Sequence, residues 1–307
     1  MPAPPPRTSW GGERGREEYG AARCARAARP CDGRMPRMDT LMTDVAALLA
    51  EVACETILPV YQHIEANPQE VTPGEWVTSA DFAAEAALIP RLQALLPDSV
   101  CVAEEASKDD PRVLERLGNT GRVWLIDPLD GTSSFAQGKQ PFRSMLALMH
   151  DGQAVASWIH DPISGSMAIA ERGSGAWLDG APIRVPDFTS ASDGLRGSVL
   201  RRFLSEDVRA RADAAVHRLG AEVPASMCAG SDYVALAQGP VDYVLYWRTL
   251  PWDHIPGALF LTEAGGVVRR LDGHAYAART HAQKGLLAAR SEEVWALARA
   301  ELLPPLI

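Results

Sequence analysis

WLIDPLDGTSSF, residues 124–135, decides how this chain is read. An apolar run, RVWLIDP, predicts a strand that stops at Pro128. It delivers two carboxylates, Asp127 and Asp130, across a proline-containing turn. Carboxylates at a strand mouth can share a hard, oxygen-loving cation. Gly131 and Thr132 follow at the start of a helix or turn, where backbone amides can receive a phosphate oxygen. Each short piece alone is also what an ordinary surface turn looks like, since D-P-x-D and D-G-T both favour turns.

Outward from that stretch, the N-terminal side reads as two helices. In residues 40–65, Met42, Val45, Leu48, Leu49 and Val52 fall at helical spacing, and Pro59 is expected to end or kink the helix. SADFAAEAALIPRLQALLP predicts a second helix, capped by Ser79, with Asp81 and Glu85 in its first turns, where carboxylates suit the helix dipole. The apolar VCVAEEA comes next. Beyond residue 135 lie strand-like stretches joined by Asp-Gly turns. RSMLALMH and QAVASWIH flank Asp151-Gly152; GAWL and PIRV flank Asp179-Gly180. An antiparallel meander is therefore expected, then alternating strands and helices from about residue 195. The latter comprise GSVLRRF (strand), SEDVRARADAAVHRL and SDYVALAQG (helices), VDYVLYW (strand), a helix through Ala264, the strand GLLAA and a last helix capped by Ser291. Two domains are expected, 39–186 and 187–307, divided at the polar PDFTSASDG of residues 186–194.

Composition narrows the function classes. The chain has 307 residues, 47% hydrophobic and 22% charged, as an ordinary globular enzyme does. Its net charge of −9 speaks against non-specific nucleic-acid binding, which needs clustered positive charge. Residues 1–38 hold eight Arg and four acidic residues, so they carry +4 and the remainder −13. This Arg/Pro/Gly-rich tail is expected to be disordered, and Met35 or Met38 is an alternative start. It lacks the apolar core of a secretory signal, and no run in the chain approaches a membrane span. The five cysteines, Cys24, Cys31, Cys54, Cys101 and Cys228, show no metal-ligand spacing. They fit a reducing cytoplasm, most of them as small core residues. The seven histidines show no zinc pattern either.

Four motifs then stand in one order along the chain. VTSADFAAE supplies Asp81, VAEEAS supplies Glu104 and Glu105, WLIDPLDGTSSF supplies Asp127 and Asp130, and PWDHIPGALFLTEAGG supplies Asp253. Together, over about residues 40 to 300, they resemble the signatures of the inositol monophosphatase family. That resemblance implies an α+β fold, a layered αβαβα sandwich shared with fructose-1,6-bisphosphatase. It also implies a homodimer and a Mg²⁺-dependent, Li⁺-sensitive hydrolysis of small phosphate monoesters.

The charge count agrees with a metal. Two unit charges about 4 Å apart repel by roughly 4 kcal/mol at an effective dielectric of about 20. Asp81, Glu104, Asp127, Asp130 and Asp253 in one pocket would therefore need divalent cations. Ligation by oxygen alone points to Mg²⁺, with Mn²⁺ able to substitute. The resemblance implies that Glu104, Asp127 and the Leu129 carbonyl hold one ion, and Asp127, Asp130 and Asp253 a second; a third, weaker site lies near Glu104. By the same resemblance Thr132, backed by Asp81, would orient the attacking water, and Asp130, Gly131, Thr132 and Asp253 would contact the substrate.

Several neighbours receive plainer readings. Glu105 reads as a surface or helix-end charge. His254 reads as a hydrogen-bonded wall residue before a general acid, Trp124 and Trp252 read as core, and nothing local gives Cys228 a role. One position departs from the family. Seven residues before Asp253, where inositol-cleaving members carry a polyol-binding carboxylate, stands Tyr246. It offers one hydroxyl and a ring face. Arg248 nearby reads either as a contact for a second anionic group or as a solvated surface charge. The expected substrate is thus a small phosphorylated metabolite, a sugar or polyol phosphate. Fructose 1,6-bisphosphate, histidinol phosphate and 3′-phosphoadenosine 5′-phosphate are alternatives. A regulatory protein that keeps the fold without turnover is the alternative of another class.

Overall fold

The computed structural model of the chain describes residues 40–63, 69–72, 75–118, 120–188 and 194–302; the N-terminal tail lies outside them. The first layer is helical. Helix α1 (Thr40–Val52) runs into a single π-helical turn (Ala53–Ile57) and then α2 (Leu58–Gln62), which carries Pro59 in its first turn. Proline lacks an N–H and its ring crowds the carbonyl four residues back, so a locally wider turn lets the helix continue past it. Strands β1 (Gln69–Thr72) and β2 (Glu75–Val77) form a small hairpin, followed by α3 (Ser79–Leu95). The α3 cap is Thr78, not the expected Ser79. The Thr78 side chain accepts from the Ala80 amide at 3.2 Å, and Asp81 reaches back to the Thr78 amide at 2.8 Å.

The second layer is a sheet of seven strands in sequential order, with only its first pair parallel. Strand β3 (Val100–Ala103) leads into α4 (Glu104–Asp109), and β4 (Arg122–Asp130) into α5 (Thr132–Ala136). Strand β4 does not stop at Pro128. It continues to Asp130, with its register on β5 shifting between Asp127 and Asp130, so a bulge absorbs the missing donor. The expected meander follows: β5 (Arg143–His150), β6 (Gln153–His160), β7 (Met167–Glu171), β8 (Gly175–Leu178) and β9 (Ala181–Ile183).

The chain leaves this sheet at Ile183 and enters a second at Leu195, on either side of the expected boundary, of which residues 189–193 lie outside the described ones. The second sheet has the order β11-β10-β12-β14-β13 once strands are numbered along the chain. Its elements are β10 (Leu195–Val199), α6 (Glu206–Leu219), β11 (Gly220–Glu222), α7 (Ala229–Gln238), β12 (Tyr243–Tyr246), α8 (Pro251–Glu263), β13 (Val267–Arg270), β14 (Leu286–Ala289) and α9 (Glu292–Leu302). The Ser291 hydroxyl accepts from the Val294 amide at 3.2 Å, as a cap to α9 should.

Three apolar cores hold these layers together, and they show the αβαβα order directly. One lies between α1, α3 and the outer face of the seven-stranded sheet and contains Leu49, Leu88, Trp124 and Trp158. The central core joins the inner faces of both sheets through α7 and α8, with Tyr233, Tyr246, Trp252 and Phe260. The third packs α6 and α9 on the far face of the second sheet. Close approach inside the central core fixes small residues: a β-carbon on Gly257 of α8 would lie 1.9 Å from the Tyr233 ring of α7. Cys101 and Cys228 are buried free thiols, as expected of core cysteines.

Candidate active site

Nine of the ten residues singled out in the sequence line one cleft between the two sheets: Glu104, Asp127, Leu129, Asp130, Gly131, Thr132, Tyr246, Arg248 and Asp253. The tenth, Asp81, is fully buried behind them. Each carboxylate arrives from the end of an element. Glu104 opens α4, Asp127 and Asp130 close β4, and Asp253 sits in the first turn of α8.

Buried hydrogen bonds fix these side chains. Asp130 accepts from the Gly230 amide at 2.7 Å and the Cys228 thiol at 3.1 Å, which ties the end of β4 to the start of α7. Cys228 therefore has a role that nothing local in the sequence required. Asp127 accepts from the Leu129 amide at 3.0 Å, closing the bulge on itself. Gly131 has φ +85°, and a β-carbon there would meet the Pro141 carbonyl oxygen at 2.8 Å, so both the turn and the space require glycine. Glu85, one helical turn beyond Asp81, accepts from the Glu105 and Ala106 amides at 2.8 and 2.9 Å. It caps α4 and so places Glu104; its spacing of four from Asp81 on the buried face of α3 was the available signal.

Asp81 holds both the N–H and the hydroxyl of Thr78, at 2.8 and 2.6 Å, on one oxygen. Its other oxygen lies 3.3 Å from the Thr132 hydroxyl, which also donates to the Leu129 carbonyl at 2.8 Å. One proton faces two acceptors, and the shorter, Leu129, is the stronger.

The electrostatics are those of crowded carboxylates. Burial and then the charges of Glu104, Asp130 and Asp253 push Asp127 well above the ordinary carboxylate range. Asp253 is raised by burial, then by Glu104 and Asp130. Asp130 rises to about 6, burial prevailing over its hydrogen bonds from Gly230 and Cys228. Asp81 rises to about 7, mainly through burial.

Glu105 is the helix-end charge expected, and not a surface one. It is buried at 5% exposure, and the Lys108 ammonium bridges its carboxylate and that of Glu104, at 2.8 and 2.9 Å. Lys108 lines the cleft, a feature the sequence reading did not identify. Among the described residues no three potential ligand side chains are already gathered about one point as a metal site. The donor chemistry nevertheless fits a hard divalent ion: four carboxylates and a carbonyl face one cleft, with no His or Cys ligand set among them, and the burial of Asp127, Asp130 and Asp253 raises the cost of ionising those three.

His254 is the wall residue expected. Its Nε2 lies 3.1 Å from the Arg248 carbonyl and its Nδ1 3.2 Å from the Tyr233 hydroxyl. A carbonyl only accepts, so Nε2 carries the proton and Nδ1 accepts from tyrosine. Burial lowers its pKa to about 3. The Tyr246 hydroxyl donates to the buried Asp232 at 3.2 Å, and its ring packs on those of Tyr233 and His254. Trp124 and Trp252 are buried, as expected.

Known proteins carry the same architecture. The solved structure of the extragenic suppressor protein SuhB from Bartonella henselae superposes with a TM-score of 0.73 at 22% identity, covering 86% of this chain and 100% of that one. An IMPase from Thermotoga maritima gives 0.70 at 24%, covering 86% and 98%. By sequence, a fructose-1,6-bisphosphatase/inositol-1-monophosphatase of Thermotoga maritima is 31% identical over 199 residues, 64% of this chain and 72% of that protein. The Nus factor SuhB of Escherichia coli is 28% identical over 240 residues, 76% of this chain and 86% of that protein. With four ordered motifs converging on one cleft and the family's pattern matched over residues 38–303, the chain belongs to the inositol monophosphatase family.

Proposed function

We propose that this chain is a Mg²⁺-dependent phosphatase that hydrolyses phosphate monoesters of small polar metabolites. The observation that carries the reading is the convergence of Glu104, Asp127, Asp130 and Asp253 on the cleft that also exposes Thr132. Glu104, Asp127 and the Leu129 carbonyl would hold one cation; Asp127, Asp130 and Asp253 would hold a second. When bound, Mg²⁺ or Mn²⁺ supplies Lewis-acid chemistry, lowering the pKa of a water and offsetting charge on the phosphate.

The protein's own part is positioning and proton handling. Thr132 has a single hydroxyl proton. With the Leu129 carbonyl taken up by a cation, the hydroxyl would donate its hydrogen bond to Asp81 instead, keeping its proton, and its oxygen lone pair would face the cleft to accept from the attacking water. The Thr78 bonds hold Asp81 still while this happens. Gly131 and Thr132 open α5, where their amides suit the phosphate oxygens.

The cleft does not favour myo-inositol 1-phosphate. The family's polyol-binding carboxylate is Tyr246 here, and its hydroxyl is already committed to Asp232. A site that has lost its match to a hydroxyl can lose several orders of magnitude in discrimination. The reading includes a homodimer in the cytoplasm. Among the described residues no helix is long and apolar enough to cross a membrane.

The regulatory alternative keeps its test because several relatives bear the name Nus factor SuhB. Purified protein should release phosphate from a metabolite-phosphate panel, lose that activity in EDTA and regain it with Mg²⁺. Undiminished hydrolysis after rigorous chelation would overturn the metal mechanism, and no release from any ester would favour the regulatory class.

A further inference from the structure

The cleft that gathers the carboxylates also holds a cluster of the opposite sign. Arg202 and Arg248 both line the cleft, and both stack on one ring, that of Phe203. The Arg248 guanidinium carbon lies 4.3 Å from the ring centroid and that of Arg202 4.8 Å. Phe203 is 37% exposed, a large apolar side chain left at the mouth of a polar cleft. Two like charges on one ring repel, so the arrangement needs a rigid frame, and both backbone segments have one.

Arg202 and Phe203 belong to the 3₁₀ turn Arg201–Phe203. Arg201, their neighbour, faces away into ion pairs with Asp213 and Glu222 and pins the turn to the second sheet. Arg248 lies in a segment fixed at nearly every residue. The Gly285 amide donates to the Trp247 carbonyl at 3.0 Å and His254 to that of Arg248 at 3.1 Å. The Tyr276 hydroxyl donates to the Thr249 carbonyl at 2.9 Å. Arg248 is also close enough to Asp253 for its charge to favour the ionised carboxylate.

We propose that Arg202 and Arg248, spaced by Phe203, bind a second anionic group of the substrate while its scissile phosphate lies at the carboxylates. The preferred substrate is accordingly a bis-anionic phosphate ester. This rests on the phosphatase reading above and names the substrate class of that site. A guanidinium presents a planar fork that matches phosphate or carboxylate oxygens, and an aromatic ring beneath it restricts its rotation, so less entropy is lost on binding. Phe203 thus sets the separation and tilt of the two forks.

The test is steady-state kinetics with Mg²⁺ on a nucleoside 3′,5′-bisphosphate, fructose 1,6-bisphosphate, glycerol 2-phosphate and myo-inositol 1-phosphate. Both bis-anions should exceed both monoesters in kcat/KM, and the two bis-anions distinguish a nucleotide from a sugar source of the second charge. Arg202→Gln and Arg248→Gln should each raise KM for the better bis-anion by about ten- to a hundredfold, the worth of one charge-assisted hydrogen bond, with a much smaller change in kcat. Phe203→Leu keeps both charges but removes their common support, and it should raise the same KM. Since Arg248 joins a tightly bonded segment, its variant is read against Arg202→Gln, which leaves that segment intact. Phosphate release without preference for a second anion would overturn this proposal alone, as would an unchanged KM in Arg202→Gln and Phe203→Leu. No release from any ester would overturn the phosphatase reading and this proposal with it.

Discussion

Thr132 and Lys108 carry single protons and charges whose placement decides what the cleft can do. The Thr132 hydroxyl serves no packing need, yet it is held between Leu129 and Asp81. Thr132→Ala should therefore leave Mg²⁺ binding intact and lower kcat by about 10²- to 10⁴-fold, the usual worth of a positioned proton-transfer group. Isothermal titration with Mg²⁺ beside phosphate-release kinetics separates the two; equal loss of metal binding and rate would place Thr132 among the ligands instead. Lys108 holds the Glu104 carboxylate at 2.9 Å, so its ammonium would compete with a cation proposed there. Lys108→Met should bind Mg²⁺ more tightly than the parent, and weaker binding would show that Lys108 supports the site. At this scale the motif carboxylates were legible because each lies in a local pattern. Glu85, Cys228 and Lys108 were not. Their partners lie at Glu105, Asp130 and Glu104, and two of those three bonds join residues 20 and 98 apart in sequence.

The elements show how local chemistry sets the site's frame. Helix α3 begins with Thr78, whose hydroxyl serves both the helix end and Asp81. Thr78→Ala should cost about 0.5–2 kcal/mol in denaturant unfolding, as a lost N-cap does, while Ser79→Ala should be close to neutral. A larger loss from Ser79→Ala would reverse that assignment. The hairpins were legible for a specific reason. Asp151, Gly152, Asp179 and Gly180 all have positive φ, the conformation a two-residue turn demands and that Asp-Gly tolerates. Strand β4 was cut short in the sequence reading because proline lacks a ladder donor. The bulge between Asp127 and Asp130 removes that need and aims both carboxylates at one cleft. Strands β11 and β13 were missed because three residues, GAE, and the half-polar VVRR carry no period of their own. Pairing with β10 and β14 makes them strands.

For the whole molecule, stability and function pull against each other through buried charge. Asp81, Asp127, Asp130, Asp232 and Asp253 all have folded pKa values raised above 3.8, chiefly by burial, with Asp130 at about 6 and Asp81 and Asp232 at about 7. The unfolded chain releases these protons near pH 4 while the folded chain retains them. Their contribution is thus complete below pH 3.8; that of Asp130, Asp81 and Asp232 is lost as pH rises through about 6 to 7, and that of Asp127 and Asp253 is likewise lost as pH rises. Two buried histidines work in the opposite sense. His160 is lowered to about 4 and His254 to about 3, both mainly by burial, so they destabilise the fold only as pH falls below about 6.5. Between pH 6.5 and 8 the histidines shed only the half-protonation left in the unfolded chain, a small opposing effect, and the more numerous raised carboxylates decide the sign. Without divalent ions the protein should then melt at a lower Tm at pH 8 than at pH 6.5. Bound Mg²⁺ favours the ionised carboxylates, so the Tm gained from saturating Mg²⁺ should be larger at pH 8 than at pH 6.5. Asp127→Asn removes the carboxylate proposed for both cation sites. That variant should melt higher than the parent in EDTA at pH 8 and should lose most of the Mg²⁺ gain. A parent gain equal at both pH values, or an Asp127→Asn variant still fully stabilised by Mg²⁺, would show that the cation is held away from these carboxylates.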